Sequence, residues 1–332
     1  KESVIAMNTP INILPPFIGL GLIGGSIARG LKRSAPDIQI MAYMRTREKL
    51  EQAHADGIVT DSGGVDEHLS ECDIIFLCTP VEFNESYLRQ IRPFLKEGAI
   101  VTDVGSTKTS IHETVAALGM EAACGGHPMA GSERTGYACS KASLLENAYY
   151  VINANFKNNE KNPARQQLIQ FAADQAAIPL VLDYKNHDYA VAAIGHVPHV
   201  IASSLVNLVA QSDFPDGTMK KIAAGGFKDI TRIASSSPVM WEQILFTNKD
   251  NIISLLETTK GRFDQTITDL KTDNHKDIYD IFESSGAYRS SISDNRGSAT
   301  MNPEYAIFCD IPDQPGAISV IATLLAFEKC QH

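Results

Sequence analysis

Cysteine, tryptophan and positive charge are scarce in this chain of 332 residues, which has six Cys, one Trp, and 29 Lys and Arg against 39 acids. The cysteines (Cys72, Cys78, Cys124, Cys139, Cys309, Cys330) are scattered and never form C-x-x-C, and several sit in apolar runs such as Ile74 to Cys78. Buried free thiols are therefore expected, rather than a disulfide framework or a metal site. The net charge of −10 argues against generic affinity for nucleic acid or an anionic membrane, while leaving room for a local basic pocket. No apolar run approaches the ~18 to 20 residues needed to cross a bilayer. Lys1 to Phe17 lacks the basic start, apolar middle and small-residue cleavage site of a signal peptide, so the expectation is a cytoplasmic protein. No internal repeat is present.

What is there is the texture of an ordinary folded protein, 44% hydrophobic and 20% charged, long enough for about two domains. From Phe17 to Ile152, short apolar runs (Phe17 to Leu20, Ile38 to Tyr43, Asp73 to Cys78, Ala99 to Asp103, Ala122 to Gly125, Tyr149 to Ile152) alternate with amphipathic stretches. That alternation predicts an α/β domain, a doubly wound Rossmann-type parallel sheet covered on both faces. After a polar loop at Asn155 to Asn162, helices are predicted at Arg165 to Ala176, His187 to Gln211, Met219 to Ala224, Pro238 to Lys271 and Asn274 to Ser284, forming an all-helical second domain. Ile194 to Val209, apolar almost all round, is expected to be a central buried helix and part of a dimer interface. Ser284 to Pro303 reads as a linker, and Tyr305 to Phe327 as a strand, turn and helix. The expected bounds are 1–153, 154–290, a linker at 291–303, and a terminal segment at 304–332.

Five segments carry chemistry. Gly19, Gly21 and Gly24, with Leu20, Leu22 and Ile23 between them, have G-x-G-x-x-G spacing between a strand and a helix: a tight turn, room for a pyrophosphate, and close helix packing. Pro15 and Pro16 conflict with a long first strand there. The second strand should end in a carboxylate for NAD or an Arg for NADP; it carries Arg45 and Thr46, and Arg45 reads equally as a phosphate contact or a solvated residue. Thr79-Pro80 and Gly105-Ser106-Thr107-Lys108 follow the next strands at the edge where such sheets bind ligands, although Ser106 reads also as a helix N-cap. His127, in Gly125-Gly126-His127-Pro128-Met129-Ala130-Gly131-Ser132-Glu133, is a candidate acid or base, since an imidazole with a pKa of ~6.5 accepts and releases protons at neutral pH. In the helical part, His187-Asp188 and His196-Val197-Pro198-His199 lack the neighbours a metal needs, so no metal is expected. Gly225 to Arg232 reads as a Gly-rich approach to a cation, followed by Trp241, and Arg232 suits a bidentate carboxylate clamp or a surface ion pair.

Taken in order, G-L-G-L-I-G-G-S, D-V-G-S-T-K, G-G-H-P-M-A-G-S-E, H-D-Y-(x)6-H-V-P-H and G-G-F-K-D-I-T-R-I-A-(x)4-P-x-M-W resemble the prephenate dehydrogenase family of tyrosine biosynthesis, from residue 17 to about 285. The resemblance implies oxidative decarboxylation of prephenate to 4-hydroxyphenylpyruvate with hydride passing to NAD or NADP, in a homodimer subject to tyrosine feedback. It implies that His127 is the catalytic His, that Ser106 orients the ring hydroxyl, and that Arg232 pairs with a substrate carboxylate. His199, Glu133, Ser132, Gly225 and Trp241 become pocket positions. The tail, with D-I-P-D-Q-P-G, resembles the start of an ACT domain. Arogenate is the alternative substrate. A β-hydroxyacid dehydrogenase, which would need a catalytic Lys on the helical domain, and a non-catalytic dinucleotide sensor are the competing readings.

Overall fold

Among the described residues, seven short stretches form strands: β1 (Pro16–Ile18), β2 (Met41–Tyr43), β3 (Ile74–Leu77), β4 (Ile100–Asp103), β5 (Gly125–Pro128), β6 (Tyr149–Asn153) and β7 (Ile178–Val181). The computed structural model describes residues 16–46, 48–61, 65–120, 122–131, 134–153, 163–292, 316, 319, 320 and 323. The chain divides into two units, Lys1–Gly297 and Ser298–His332. All elements below belong to the first; the ACT-like reading falls almost wholly outside the described residues.

Strands β2-β1-β3-β4 form a parallel sheet in that order. A bridge from Val101 to Ala123, with Cys124 N–H donating to the Val101 carbonyl at 2.9 Å, lays β5 beside β4 in the same direction. β6 then pairs antiparallel with β5 and parallel with β7. Pro16 takes the first residue of β1, where a missing N–H is tolerated, and the strand is only three residues long.

Helices α1 (Leu22–Ser34), α2 (Glu48–Ala55), α3 (Val81–Ile91), α4 (Thr109–Ala117) and α5 (Pro163–Asp174) cover the sheet. Phe17, Ile27, Ala42, Phe76 and Leu168 share one buried cluster, and Ile18, Leu77, Leu88, Ile111 and Val115 share another. The alternation within β1, Phe17 to one cluster and Ile18 to the other, explains why its apolar run is continuous. The sequence assigned 165–176 to the helical domain, but β7 hydrogen-bonds to β6 and Leu168 joins the sheet core, so both elements belong to the first part. A one-strand extension beyond a polar loop leaves little local signal.

The second part contains α6 (Tyr184–Val191), α7 (Val197–Ser212), α8 (Thr218–Ile222), α9 (Gly225–Thr231), α10 (Pro238–Thr247), α11 (Lys249–Lys271) and α12 (His275–Ser291). A π-helical turn, Ala192–His196, joins α6 to α7. By length and composition the resulting helix, Tyr184–Ser212, would suffice to cross a membrane, contrary to the sequence reading. Nor is it centrally buried: Ile194 and Leu208 are 69% and 59% exposed, because α7 buries mainly Val197 and Ala202. The stretch Pro238 to Lys271 breaks at Asn248, and α12 runs into the expected linker as far as Ser291.

Candidate active site

The first turn of the sheet has the shape its glycines predict. Gly19 has φ +92°, and a Cβ there would lie 2.7 Å from the Cys78 carbonyl oxygen. A Cβ on Gly21 would meet nothing within 4 Å, whereas one on Gly24 would lie 2.7 Å from the Gly19 oxygen and 2.9 Å from Cys78 Cβ. The turn is therefore tight at the first glycine, open at the second and packed at the third. It leads into α1, whose N-cap is Gly21, with no side-chain cap and no acid in the first turn. An uncapped helix start with a positive dipole end suits a diphosphate, so these residues fit a dinucleotide. Leu20 is buried, while Leu22 and Ile23 are half-buried. At the end of β2, Arg45 and Thr46 are exposed, and the Arg45 guanidinium lies 4.8 Å from the centre of the Phe83 ring on α3. Thr79 Oγ1 donates to Asn84 Oδ1 at 2.7 Å, and Pro80 caps α3.

The loop after β4 is held from within. Buried Asp103 accepts from the Lys108 ammonium and from Gly105 N–H (2.8 Å), and Lys108 Nζ also donates to the Gly105 carbonyl at 2.7 Å. Lys108 is thus a buried strut, not the ligand contact its motif suggested. Half-buried Ser106 sits in the loop so fixed. It is not the N-cap of α4: that position is Lys108, and the capping acceptor comes from far away in the chain. Asp188 on α6 accepts from Lys108 N–H and Thr109 N–H, both at 2.8 Å, and from Thr109 Oγ1–H at 2.6 Å.

His127 lies within β5, not just after it, half-buried at the same carboxyl edge as the glycine turn and Ser106. Its strand needs Gly126, where a Cβ would come within 2.8 Å of both the Asp103 carbonyl oxygen and Tyr150 Oη. His127 Nδ1 is 2.9 Å from His187 Nε2, and His187 Nδ1 is 2.8 Å from Asp188 Oδ1. Burial, then the Lys108 ammonium and the neighbouring His187 and His196, hold His127 well below the ordinary imidazole range. Burial opposes ionisation of Asp188, but hydrogen bonds from His187 and Thr109 outweigh it and lower its pKa.

The helical part closes around this point. Asn248 Nδ2 contacts the Asp188 carbonyl at 2.7 Å and His196 Nδ1 at 3.2 Å. His199 stacks on Trp241 with ring centres 3.6 Å apart, and Trp241 Nε1 is buried without a hydrogen-bond partner among the described residues. Arg232, exposed, follows α9 directly in a short 3-10 turn that packs on α7, the helix bearing His199. Gly225 is exposed at the start of α9, so the Gly-rich approach to Arg232 is helical. Ser132 and Glu133 lie outside the described residues. The structure thus joins His127 to His187 and Asp188, which sequence reading left without a role; the only trace was an ionisable His-Asp pair opening an apolar helix.

Comparisons with known proteins agree with this layout. Residues 27–176 match the family model "Prephenate dehydrogenase, nucleotide-binding domain", and residues 183–284 match "Prephenate dehydrogenase, dimerization domain". The stretch between the two matches, 177–182, contains β7. The prephenate dehydrogenase of Bacillus subtilis is 33% identical over 317 residues, covering 94% of this chain and 84% of that protein. Among solved structures, prephenate dehydrogenase from Aquifex aeolicus, in complex with hydroxyphenyl propionate and NAD+, superposes with a TM-score of 0.77 at 25% identity, covering 84% of this chain and 97% of that one. Synechocystis arogenate dehydrogenase gives 0.72 at 27% identity, covering 83% and 98%. With a glycine cradle, a histidine at the sheet's carboxyl edge and matches over both parts, this chain belongs to the prephenate dehydrogenase family.

Proposed function

We propose that the chain is a cytoplasmic homodimeric enzyme that converts prephenate to 4-hydroxyphenylpyruvate and CO2, with His127 as its acid-base group. The observation that carries the site assignment is the half-buried imidazole of His127, held by His187 at the edge of the sheet that also bears the glycine cradle. A nicotinamide cofactor held at the glycine turn would supply the acceptor for hydride from C4 of the ring. As that hydrogen leaves, the C4 hydroxyl becomes carbonyl-like and acidic, and His127 takes its proton, a contribution of typically ~10²- to 10⁴-fold. Loss of CO2 sends the C1 bonding pair through the ring onto the C4 oxygen, and His127 returns the proton to the phenolate. No net proton is released. Ser106 orients the hydroxyl, Arg232 pairs with a carboxylate of the dianion, and His199, Trp241, Gly225, Ser132 and Glu133 shape the pocket.

For the cofactor, Gly19 to Gly24, Thr79, Pro80 and Gly105 line the diphosphate and nicotinamide end. NADP is a second reading, favoured by Arg45 and by the lack of a carboxylate from Ala42 to Thr46. Initial rates with prephenate and arogenate, each against NAD+ and NADP+ and with or without tyrosine, test these assignments. One reduced nucleotide per CO2 from prephenate is expected. Cofactor binding with no turnover of either cyclohexadienyl substrate would leave the sensor reading standing.

A further inference from the structure

Asp188 is wholly buried, yet its carboxylate has no spare acceptor site. Oδ1 takes Lys108 N–H and His187 Nδ1, and Oδ2 takes Thr109 N–H and Oγ1–H. An ionised carboxylate only accepts, so His187 carries its proton on Nδ1. In the tautomer with that single proton, His187 Nε2 is bare and the 2.9 Å contact is one that His127 donates from Nδ1. What remains on His127 is an unprotonated Nε2.

We propose that Asp188 and His187, supplied by the helical part, are positioning residues that fix the tautomer of His127 and support the positive charge it gains when it accepts the substrate proton. This rests on the reading of His127 as the base. In the reaction, the hydroxyl proton goes to His127 Nε2 and returns to the phenolate oxygen, while the Nδ1 and His187 protons stay in place. The same carboxylate caps α4, so the loop bearing Ser106 and the ring of His127 are set by one group.

The test uses the full-length enzyme. Nitrogen-15 NMR of the free protein reads the His127 tautomer, with Nδ1 protonated and Nε2 bare as the expected state. His187→Leu leaves His127 Nδ1 without an acceptor, and a misplaced tautomer in such a relay lowers turnover by up to ~10⁴-fold. A fall in kcat of at least ~100-fold is expected, with KM for prephenate and the Kd of NAD+ within about threefold. His187→Gln keeps a carbonyl oxygen for the Nδ1 proton and should recover most of that loss. A merely structural role predicts instead that Gln and Leu behave alike or that KM moves with kcat. Wild-type kcat in His187→Leu, or a His127 protonated on Nε2 in the wild type, would overturn the proposal. Should the wild type not turn over prephenate at all, the function assignment fails, while the tautomer measurement still decides the relay.

Discussion

Around the sheet, Phe17, Ile27, Phe76 and Leu88 are wholly buried, whereas on α11 and α12 Phe263, Leu270 and Phe282 are 58%, 64% and 73% exposed. The contrast extends to the cores: the sheet supports two large buried clusters, while among the described residues the helical cluster has Ala192, Val197 and Ile252 as its buried members. Phe263, Ile267 and Leu270 fall at i, i+4 and i+7, so one apolar stripe of α11 faces outward. A single copy thus finishes one core and leaves the other open. The proposed second copy would supply the missing cover, and the helical part has little stability to spare without it.

The largest effect that would sharpen this contrast belongs to the finished core. Phe76 stacks on Phe17 with ring centres 4.9 Å apart, and Phe76→Ala should cost about 3–5 kcal/mol in urea unfolding, independent of protein concentration. A smaller effect lies at the junction of the two parts. Burial lowers His196 to about 4, with His187 and His199 also disfavouring its charge and Asp188 opposing them. The unfolded imidazole, near 6.5, then binds the proton more readily than the folded one. Its contribution is complete above pH 6.5 and is lost as pH falls toward 4, about 3 kcal/mol in all. Urea midpoints should show that slope in the wild type and a flatter one in His196→Asn. The smallest effect breaks the contrast directly. Phe282→Asp should turn a dimer into a monomer in sedimentation and remove the concentration dependence of Tm, about 2.7 kcal/mol at a hundred times the dimer Kd. If the exposed face has no cover, the substitution will move stability by less than about 0.5 kcal/mol.

Kinetics separates the two parts further. His127→Asn, on the sheet, should lower kcat by ~10²-fold or more, and Arg232→Ala, in the helical part, should raise KM for prephenate while leaving NAD+ affinity unchanged.

The legible portions of this molecule were local in sequence. Gly19 to Gly24 and the strand-helix alternation follow from steric and burial rules that act within a few residues, and His127 stood out because its segment closes a strand of that pattern. What escaped was set by distance along the chain. His187 meets His127 across 60 residues, and Asp188 caps a helix 80 residues away, so neither partner leaves a spacing to read. β7 was missed because its partner β6 precedes a polar loop, and α9 because two glycines argue against the helix that forms. The burial expected of Ile194 to Val209 failed because apolar composition cannot say whether the cover comes from the same copy of the chain.

The π turn at Ala192–His196 sets an angular phase along the Tyr184–Ser212 rod. Each residue of an α-helix advances the azimuth by about 100°, so one further residue inserted between His196 and His199 would swing everything downstream by roughly that much relative to α6. His199 would leave its stack on Trp241 while His187 kept its place. One inserted residue therefore keys the rotational alignment of two histidines on a single shaft, and loop engineering here has to preserve residue count before residue type.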